Sequence, residues 1–179
     1  MRFWSLISRA VNWMRLIGRR KHHHHIRQSR KVLARLAEIR AGGATEGQIL
    51  AYLRKIDPTT FEELILEVAE RAGCLVSRNL RYTGDGGIDG RFKTTAGEKR
   101  HWIVQAKRYQ DAINPQHVRD FAHQVNRQGR AGLFVHTGRT GDMSRSASRT
   151  AEIVILSGFQ LALVATGEHD FVSLLARRG

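Results

Sequence analysis

Two short, largely apolar segments in the second half of the chain constrain its fold more than any other feature. They span residues 131–136 and 152–156, and helical patterns occupy 118–127 and 144–150. Strands that are apolar on both faces lie inside a sheet covered by helices on both sides, and strands joined through helices run parallel. The pattern therefore predicts an α/β fold in which helices flank a central mixed sheet.

The preceding part of the chain supplies the other elements of this domain. Asp57 can cap a helix whose first turn contains Pro58, and the apolar face of that helix continues to residue 72. Strand patterns follow at 75–80, 91–94 and 102–108, and the last two form a predicted hairpin. A mixed sheet with antiparallel and parallel parts is the expected result.

The positive charge of the chain is concentrated at its N-terminus. The sequence has 30 Lys and Arg against 16 Asp and Glu, a formal net charge of +14, and residues 1–40 contain eleven of the bases with a single acid, Glu38. We therefore divide the chain into a basic helical extension, 1–45, and an α/β domain, 46–179. An excess of this size favours a polyanionic partner, either nucleic acid or an anionic membrane surface.

Residues 1–20 have the pattern of a basic amphipathic helix, with Trp4 and Trp13 on or beside its apolar face. Its apolar runs are too short for the ~20 residues that cross a bilayer. Three interpretations stay open: packing on its own domain or a second copy, lying on a membrane surface, or contacting DNA. We expect the histidine run 22–25 to form a solvated linker and residues 26–40 to form a second helix.

Cysteine content bears on the compartment and on the kind of metal site. Cys74 is the single cysteine of the sequence, which excludes an intrachain disulfide framework and a thiolate zinc cluster. A cytoplasmic protein is expected, with a location on the inner face of the cytoplasmic membrane open through residues 1–20.

Three side chains with complementary chemistry are predicted to meet at one end of the hairpin. Along the strand at 102–108, Gln105 and Lys107 share one face. Asp89 ends the glycine-rich turn 83–90 that leads into the partner strand. The hairpin can therefore bring a carboxylate, an amide oxygen and an ammonium group around one point. A lysine at the end of a buried strand either reaches solvent or meets an anion.

These segments resemble a known family. Phe61-Glu62, the turn Thr-Gly-Asp-Gly-Gly-Ile-Asp-Gly at 83–90 and Gln-Ala-Lys-Arg-Tyr at 105–109 are similar to the Mrr-like restriction endonuclease catalytic domain of the PD-(D/E)xK nuclease superfamily. The similarity covers roughly residues 50–166. It implies the restriction-endonuclease-like fold and a metal-dependent endonuclease of restriction or defence type that hydrolyses phosphodiester bonds in double-stranded DNA.

The resemblance also implies roles for individual residues. Asp89 and Gln105 correspond to the metal ligands and Lys107 to the catalytic lysine, with Mg²⁺ (or Mn²⁺) as the cofactor. A glutamine oxygen can bind a cation but adds no negative charge, so weak metal binding is expected until a DNA phosphate adds another oxygen. Glu62 matches the family's helix glutamate and lies at the margin of the apolar face, whereas Glu63 is expected, with residues 67 and 70, on the solvent side.

Four further side chains are candidate DNA contacts: Arg108, Tyr109, Arg139 and Arg145. The first two are equally typical of an ordinary surface at the end of a strand. Asp85 and its neighbouring glycines are expected only to shape a turn. Two alternatives to the enzyme stay open, a DNA-binding module with little catalytic activity and a nuclease tethered to a membrane by residues 1–20. Homodimer formation would suit double-strand cleavage.

Overall fold

The computed structural model describes residues 3–78 and 87–176, with side chains from His22 onward. The turn at 83–86, including Asp85, and the faces of the amphipathic helix at 1–20 lie outside the described side chains. The helices are α1 (Phe3–Ala41), α2 (Glu46–Leu53), α3 (Pro58–Arg71), α4 (Pro115–Gln128), α5 (Asp142–Ser148), α6 (Gly158–Thr166) and α7 (Phe171–Ala176). The strands are β1 (Leu75–Arg78), β2 (Gly90–Lys93), β3 (His101–Lys107), β4 (Ala131–His136) and β5 (Ile153–Ser157).

The described strands form one mixed sheet in the order β1-β2-β3-β4-β5. The pairs β1/β2 and β2/β3 are antiparallel, whereas β3/β4 and β4/β5 are parallel. All six residues of β4 are buried, as expected for a central strand covered on both faces. The predicted fold class is confirmed, and the parallel arrangement brings the carboxyl ends of β3, β4 and β5 to the same edge.

Helices cover both faces of the sheet. One face packs in a large core with α3, α6 and the second half of α1, and the other packs mainly against α4 and α5. The start of α3 follows its sequence signals, because Asp57 accepts a hydrogen bond from the Thr60 amide and Pro58 occupies the first turn. This cap fixes the helix turn that carries Glu62.

The N-terminal region is one continuous helix, α1, rather than two helices joined by a linker. The prediction of a solvated histidine linker is wrong, since His22 is buried with Nδ1 3.3 Å from Glu63 Oε1. Histidine has only a modestly lower helix propensity than alanine, so a run of four does not interrupt a helix that has a surface to pack on. Val32, Leu33 and Leu36 lie in the same core as α3. The boundary between residues 45 and 46 stays a prediction.

The acidic face of α3 is also placed differently from the prediction. Glu63 and Glu67 are buried, and Glu70 is the exposed member of the three. Arg78 donates to Glu63, 3.0 Å away, and Arg30 donates to Glu67 at 3.0 Å. The interpretation of Glu63 and Glu67 as solvent-facing is therefore wrong, because α1 covers this side of α3 and arginines distant in sequence neutralise it.

Candidate active site

Asp89 lies where the ladder between β2 and β3 ends. Its backbone N–H donates to the Val104 carbonyl at 2.8 Å, and its Oδ2 accepts from the Ala106 N–H at 2.7 Å. The Asp89 side chain thus accepts the hydrogen bond from Ala106. If β2 were longer, a backbone carbonyl of that strand would accept it instead. The carboxylate is held against β3 in a fixed orientation, with its second oxygen left for another partner.

Gln105 points to the same end of β3 and is only 6% exposed. Its Nε2 donates to the Gly87 carbonyl at 2.6 Å. A carbonyl can only accept, so the NH₂ group must face Gly87 and Oε1 must be the other atom of the amide. Oε1 is buried, and none of the described residues offers it a hydrogen bond. A buried, unpaired acceptor carries a desolvation cost that a bound cation would remove.

Gly87 is required for this orientation of the amide. Its φ of +85° lies in the left-handed region, and a Cβ there would lie 2.4 Å from Gln105 Nε2. The glycine therefore allows the turn to approach the side chain closely enough for its carbonyl to accept the amide proton. The sequence singles out the glycines of this turn but does not indicate which one contacts Gln105.

The carboxyl groups of the site titrate at unusually high pH. Burial raises the pKa of Asp89 to about 6, against the lowering influence of the Ala106 hydrogen bond and of Lys107. The pKa of Glu62 rises to about 8, first through burial and then through the charge of Asp89, while Lys107 opposes the rise. Glu62, Asp89 and Lys107 therefore share one electrostatic environment. Gln105 and Lys107 lie at the same end of β3, and the roles of the four residues stay predictions.

These donors suit a hard divalent cation. Asp89, Glu62 and Gln105 offer oxygen atoms, which Mg²⁺ and Mn²⁺ prefer. Burial raises the pKa of both carboxyl groups although Lys107 lowers it, so a bound cation would stabilise their ionised forms. Over the described part of the chain, no cluster of three or more His, Cys, Asp and Glu residues could hold a metal.

The four candidate DNA-binding residues fall into two groups. Arg108 donates from Nη1 to the Arg54 carbonyl at 2.8 Å, and the Tyr109 hydroxyl makes a short hydrogen bond with His117 Nδ1. Both side chains are half-buried and bonded within the protein. Arg139 and Arg145 are exposed and line a separate cleft beyond the ends of β4 and β5.

Two other residues of that cleft, Arg149 and Phe159, were missed by sequence reasoning. Arg149 lies in the helical pattern at 144–150, which gives no signal of a binding site. Hydropathy alone gives no sign that Phe159 is exposed. The position of the cleft at the edge of the sheet becomes apparent only once β4 and β5 are known to pair in parallel.

A family model for the Mrr catalytic domain, described as a restriction endonuclease, matches residues 53–164. The matched segment contains α3, β2, β3 and all four residues of the candidate site. The chain belongs to the Mrr restriction endonuclease family. Residues 1–52 lie outside the match.

Comparisons with individual proteins agree with the family. This Mrr-family chain is 29% identical over 126 residues to the type IV methyl-directed restriction enzyme EcoKMrr of Escherichia coli (strain K12), a match that covers 68% of the chain and 41% of the E. coli enzyme. The solved structure of MspJI restriction endonuclease with a 27-mer oligonucleotide has a TM-score of 0.53 at 25% identity, covering 74% of the chain and 35% of MspJI. The DNA modification-dependent restriction endonuclease AspBHI has a TM-score of 0.47 at 16% identity over 75% of the chain and 39% of AspBHI. The chain therefore spans well under half of each of these proteins.

Proposed function

We propose that this protein is a metal-dependent endonuclease that hydrolyses phosphodiester bonds of double-stranded DNA in restriction or defence. The observation that carries the proposal is the buried, unpaired Oε1 of Gln105 at the end of β3 that also holds Asp89. An amide oxygen kept dry and without a proton donor is costly unless a cation occupies the space before it. Membership of a restriction endonuclease family supports the same chemistry.

Asp89 and Gln105 would hold Mg²⁺ (or Mn²⁺), with Glu62 as a further oxygen donor. When bound, such an ion lowers the pKa of a bound water and offsets charge on the scissile phosphate. Lys107, at the end of β3 beside the two carboxyl groups, orients the attacking water and stabilises the extra negative charge of the transition state. Glu62, with its pKa near 8, can accept a proton close to neutral pH.

The test is cleavage of plasmid DNA, unmodified and methylated, with Mg²⁺ or Mn²⁺. We expect Asp89→Ala and Lys107→Ala to abolish cleavage while circular dichroism and thermal unfolding show that both remain folded. Lys99→Ala, which removes an exposed lysine from the β2–β3 turn, is the matched control and should cleave normally. Cleavage by both site variants at the rate of the control would place the chemistry elsewhere.

A second candidate is a DNA-binding module that keeps the fold and cleaves little. The neutral Gln105 and the raised pKa values of Asp89 and Glu62 favour it, because a site with less negative charge holds a cation weakly. Salt-sensitive DNA binding without cleavage at any concentration of Mg²⁺ or Mn²⁺ would support this function. Turnover that saturates with metal would support the enzyme.

The extension adds a proposal about location, in the cytoplasm or on the inner face of the cytoplasmic membrane. Among the described helices, none is both long and apolar enough to cross a bilayer. The basic amphipathic sequence of residues 1–20 suits the surface of an anionic membrane instead. Flotation with anionic liposomes tests this, and replacing Trp4 and Trp13 by alanine in the full chain should reduce it. Sedimentation of the same proteins tests homodimer formation.

A further inference from the structure

A cleft that runs along β5 and past the carboxyl ends of β4 and β5 combines features that the proposed cleavage site does not use. We name it the β5 cleft and define it by Arg139, Arg145, Arg149, Ser157, Phe159 and Gln160, which line a space of about 800 Å³. The strands β3, β4 and β5 are parallel, so the Ser157 end of the β5 cleft lies at the same edge of the sheet as Lys107. Two strand spacings, roughly 10 Å, separate β3 from β5.

The electrostatics of the β5 cleft favour an anion. It contains three arginines, and none of the described residues that line it is acidic. The Arg139 side chain has no partner within the described ranges. Arg145 donates to the neutral Thr140 carbonyl at 3.2 Å, and its Nε lies 3.9 Å from Asp142 Oδ1, at the limit of an ion pair. Arg149 donates to the neutral hydroxyl of Ser146. Their positive charge is therefore available to a ligand.

The first turn of α6 adds backbone donors to the same cleft. Residues 157–160 line the space, and the Ser157 hydroxyl bonds to Thr140 Oγ1, 3.1 Å away, instead of capping the helix. The first turn of this nine-residue helix therefore lies at the wall of a cleft that already carries three guanidinium groups. Both features attract phosphate oxygens.

Phe159 decides which kind of polyanion fits. Its side chain is 59% exposed at the wall of the β5 cleft, although a large aromatic residue normally avoids water. Arginines that follow a phosphate backbone beside an exposed aromatic ring are the combination that binds single-stranded nucleic acid, because an unpaired base can stack on the ring. In a duplex the bases are already stacked and their faces are inaccessible.

We propose that the β5 cleft binds a DNA strand through its phosphates and stacks one unpaired base on Phe159. The preferred ligand is then DNA with unpaired nucleotides about three steps of 3.4 Å from the bond at Lys107. The proposal deepens the proposed nuclease function by naming its substrate class, and it rests on that function only for the position of the cut.

Metal-free binding measurements test the cleft separately from cleavage. Fluorescence anisotropy would compare a duplex, the same duplex with a short gap and a single strand, and 2-aminopurine would mark an unpaired position in the last two. We expect Phe159→Ala to weaken binding of the gapped and single-stranded DNA about 5- to 150-fold, with little change for the duplex. Phe159→Trp should restore both the affinity and the quenching of 2-aminopurine.

Two matched controls accompany these variants. Met143→Ala removes another exposed apolar side chain, 66% accessible, from outside the β5 cleft and should leave binding unchanged. Arg149→Gln should reduce the salt dependence of single-strand binding by about 0.7 in log–log slope. Arg127→Gln, an exposed arginine near the C-terminus of α4, should have no such effect.

An equal loss of affinity for all three DNAs in Phe159→Ala would overturn the stacking proposal. So would a Phe159→Ala protein that binds normally but no longer sediments as a dimer, since the ring would then contact a second copy. If the Phe159-dependent preference for unpaired DNA is observed while no metal supports cleavage, the cleft proposal is upheld and the nuclease function fails. Cleavage that depends neither on Phe159 nor on unpaired nucleotides would uphold the nuclease function and overturn the cleft proposal.

Discussion

Replacing Arg78 by methionine should strongly destabilise the protein, because it breaks a buried ion pair with Glu63. Arg78 is the last residue of β1, and its guanidinium contacts the acidic side of α3. The side chain is 14% exposed and donates to Glu63 at 3.0 Å and to Glu70 at 2.8 Å. Glu63 is 2% exposed, so it cannot exchange this partner for water. Arg78→Met keeps most of the buried volume while removing the charge.

The size of the effect follows from these contacts. Removing one partner of a buried ion pair costs roughly 3–5 kcal/mol, because the remaining charge stays buried. His22 also contacts Glu63, but burial, followed by the charges of His23 and Arg78, lowers the pKa of His22, so its ring is largely neutral at pH 7.5. Glu67 keeps Arg30 and Arg71. We therefore expect a loss near the lower limit, about 3 kcal/mol, or about 6–12 °C in Tm.

Urea unfolding at pH 7.5, followed by circular dichroism, measures this loss. Arg30→Met is the matched control, because Arg30 is 54% exposed and Glu67 keeps Arg71 and Arg78 when Arg30 is removed. Loss of this solvent-exposed guanidinium should cost at most about 1 kcal/mol. A cost of Arg78→Met no greater than that of Arg30→Met would refute the reasoning.

Three further predictions concern the active site. Gly87→Ala should reduce cleavage at least tenfold, since the new methyl group displaces the Gln105 amide. Gly97→Ala, also at positive φ but with open space around it, is the control and should retain activity. Initial rates of plasmid cleavage measure both. Gln105→Glu should lower the Mg²⁺ concentration for half-maximal cleavage, because it adds a negative charge among the oxygen donors; an unchanged metal titration would contradict this. Burial raises the pKa of Asp89 to about 6, so the metal-free folded state loses stability as pH rises from about 4 to 6. Asp89→Asn should restore up to about 3 kcal/mol at pH 8 and nothing at pH 3, as thermal unfolding in EDTA would show.

The parts of the fold that follow from local patterns are predictable from the sequence. The continuous apolar run of β4 indicates burial on both faces, and Asp57 with Pro58 marks the start of α3, because each signal depends on a few adjacent residues. The strand alternation at β3 likewise places Gln105 and Lys107 on one face. The parallel order of β3, β4 and β5 follows from the helices between them.

Features that depend on distant partners could not be predicted in this way. Glu63 looks solvent-facing on a helical wheel, and only α1 and Arg78, both remote in sequence, make its burial affordable. The orientation of the Gln105 amide depends on the Gly87 carbonyl, 18 residues earlier. Pattern and resemblance thus indicate which groups form the site. The contact that leaves Oε1 unpaired has no signal in the local sequence.

The structure also changes the meaning of the net charge. Arg30 pairs with Glu67, and Arg40 pairs with Glu46 and Glu168, so much of the positive charge on the second half of α1 is neutralised within the protein. Charges that are paired in this way attract a distant polyanion only weakly, because the summed field of each pair falls off rapidly. Among the residues whose side chains are described, the β5 cleft retains several arginines without close acidic partners. The β5 cleft carries less positive charge than α1 from His22 onward. Its charge is nevertheless better placed to steer DNA to the site.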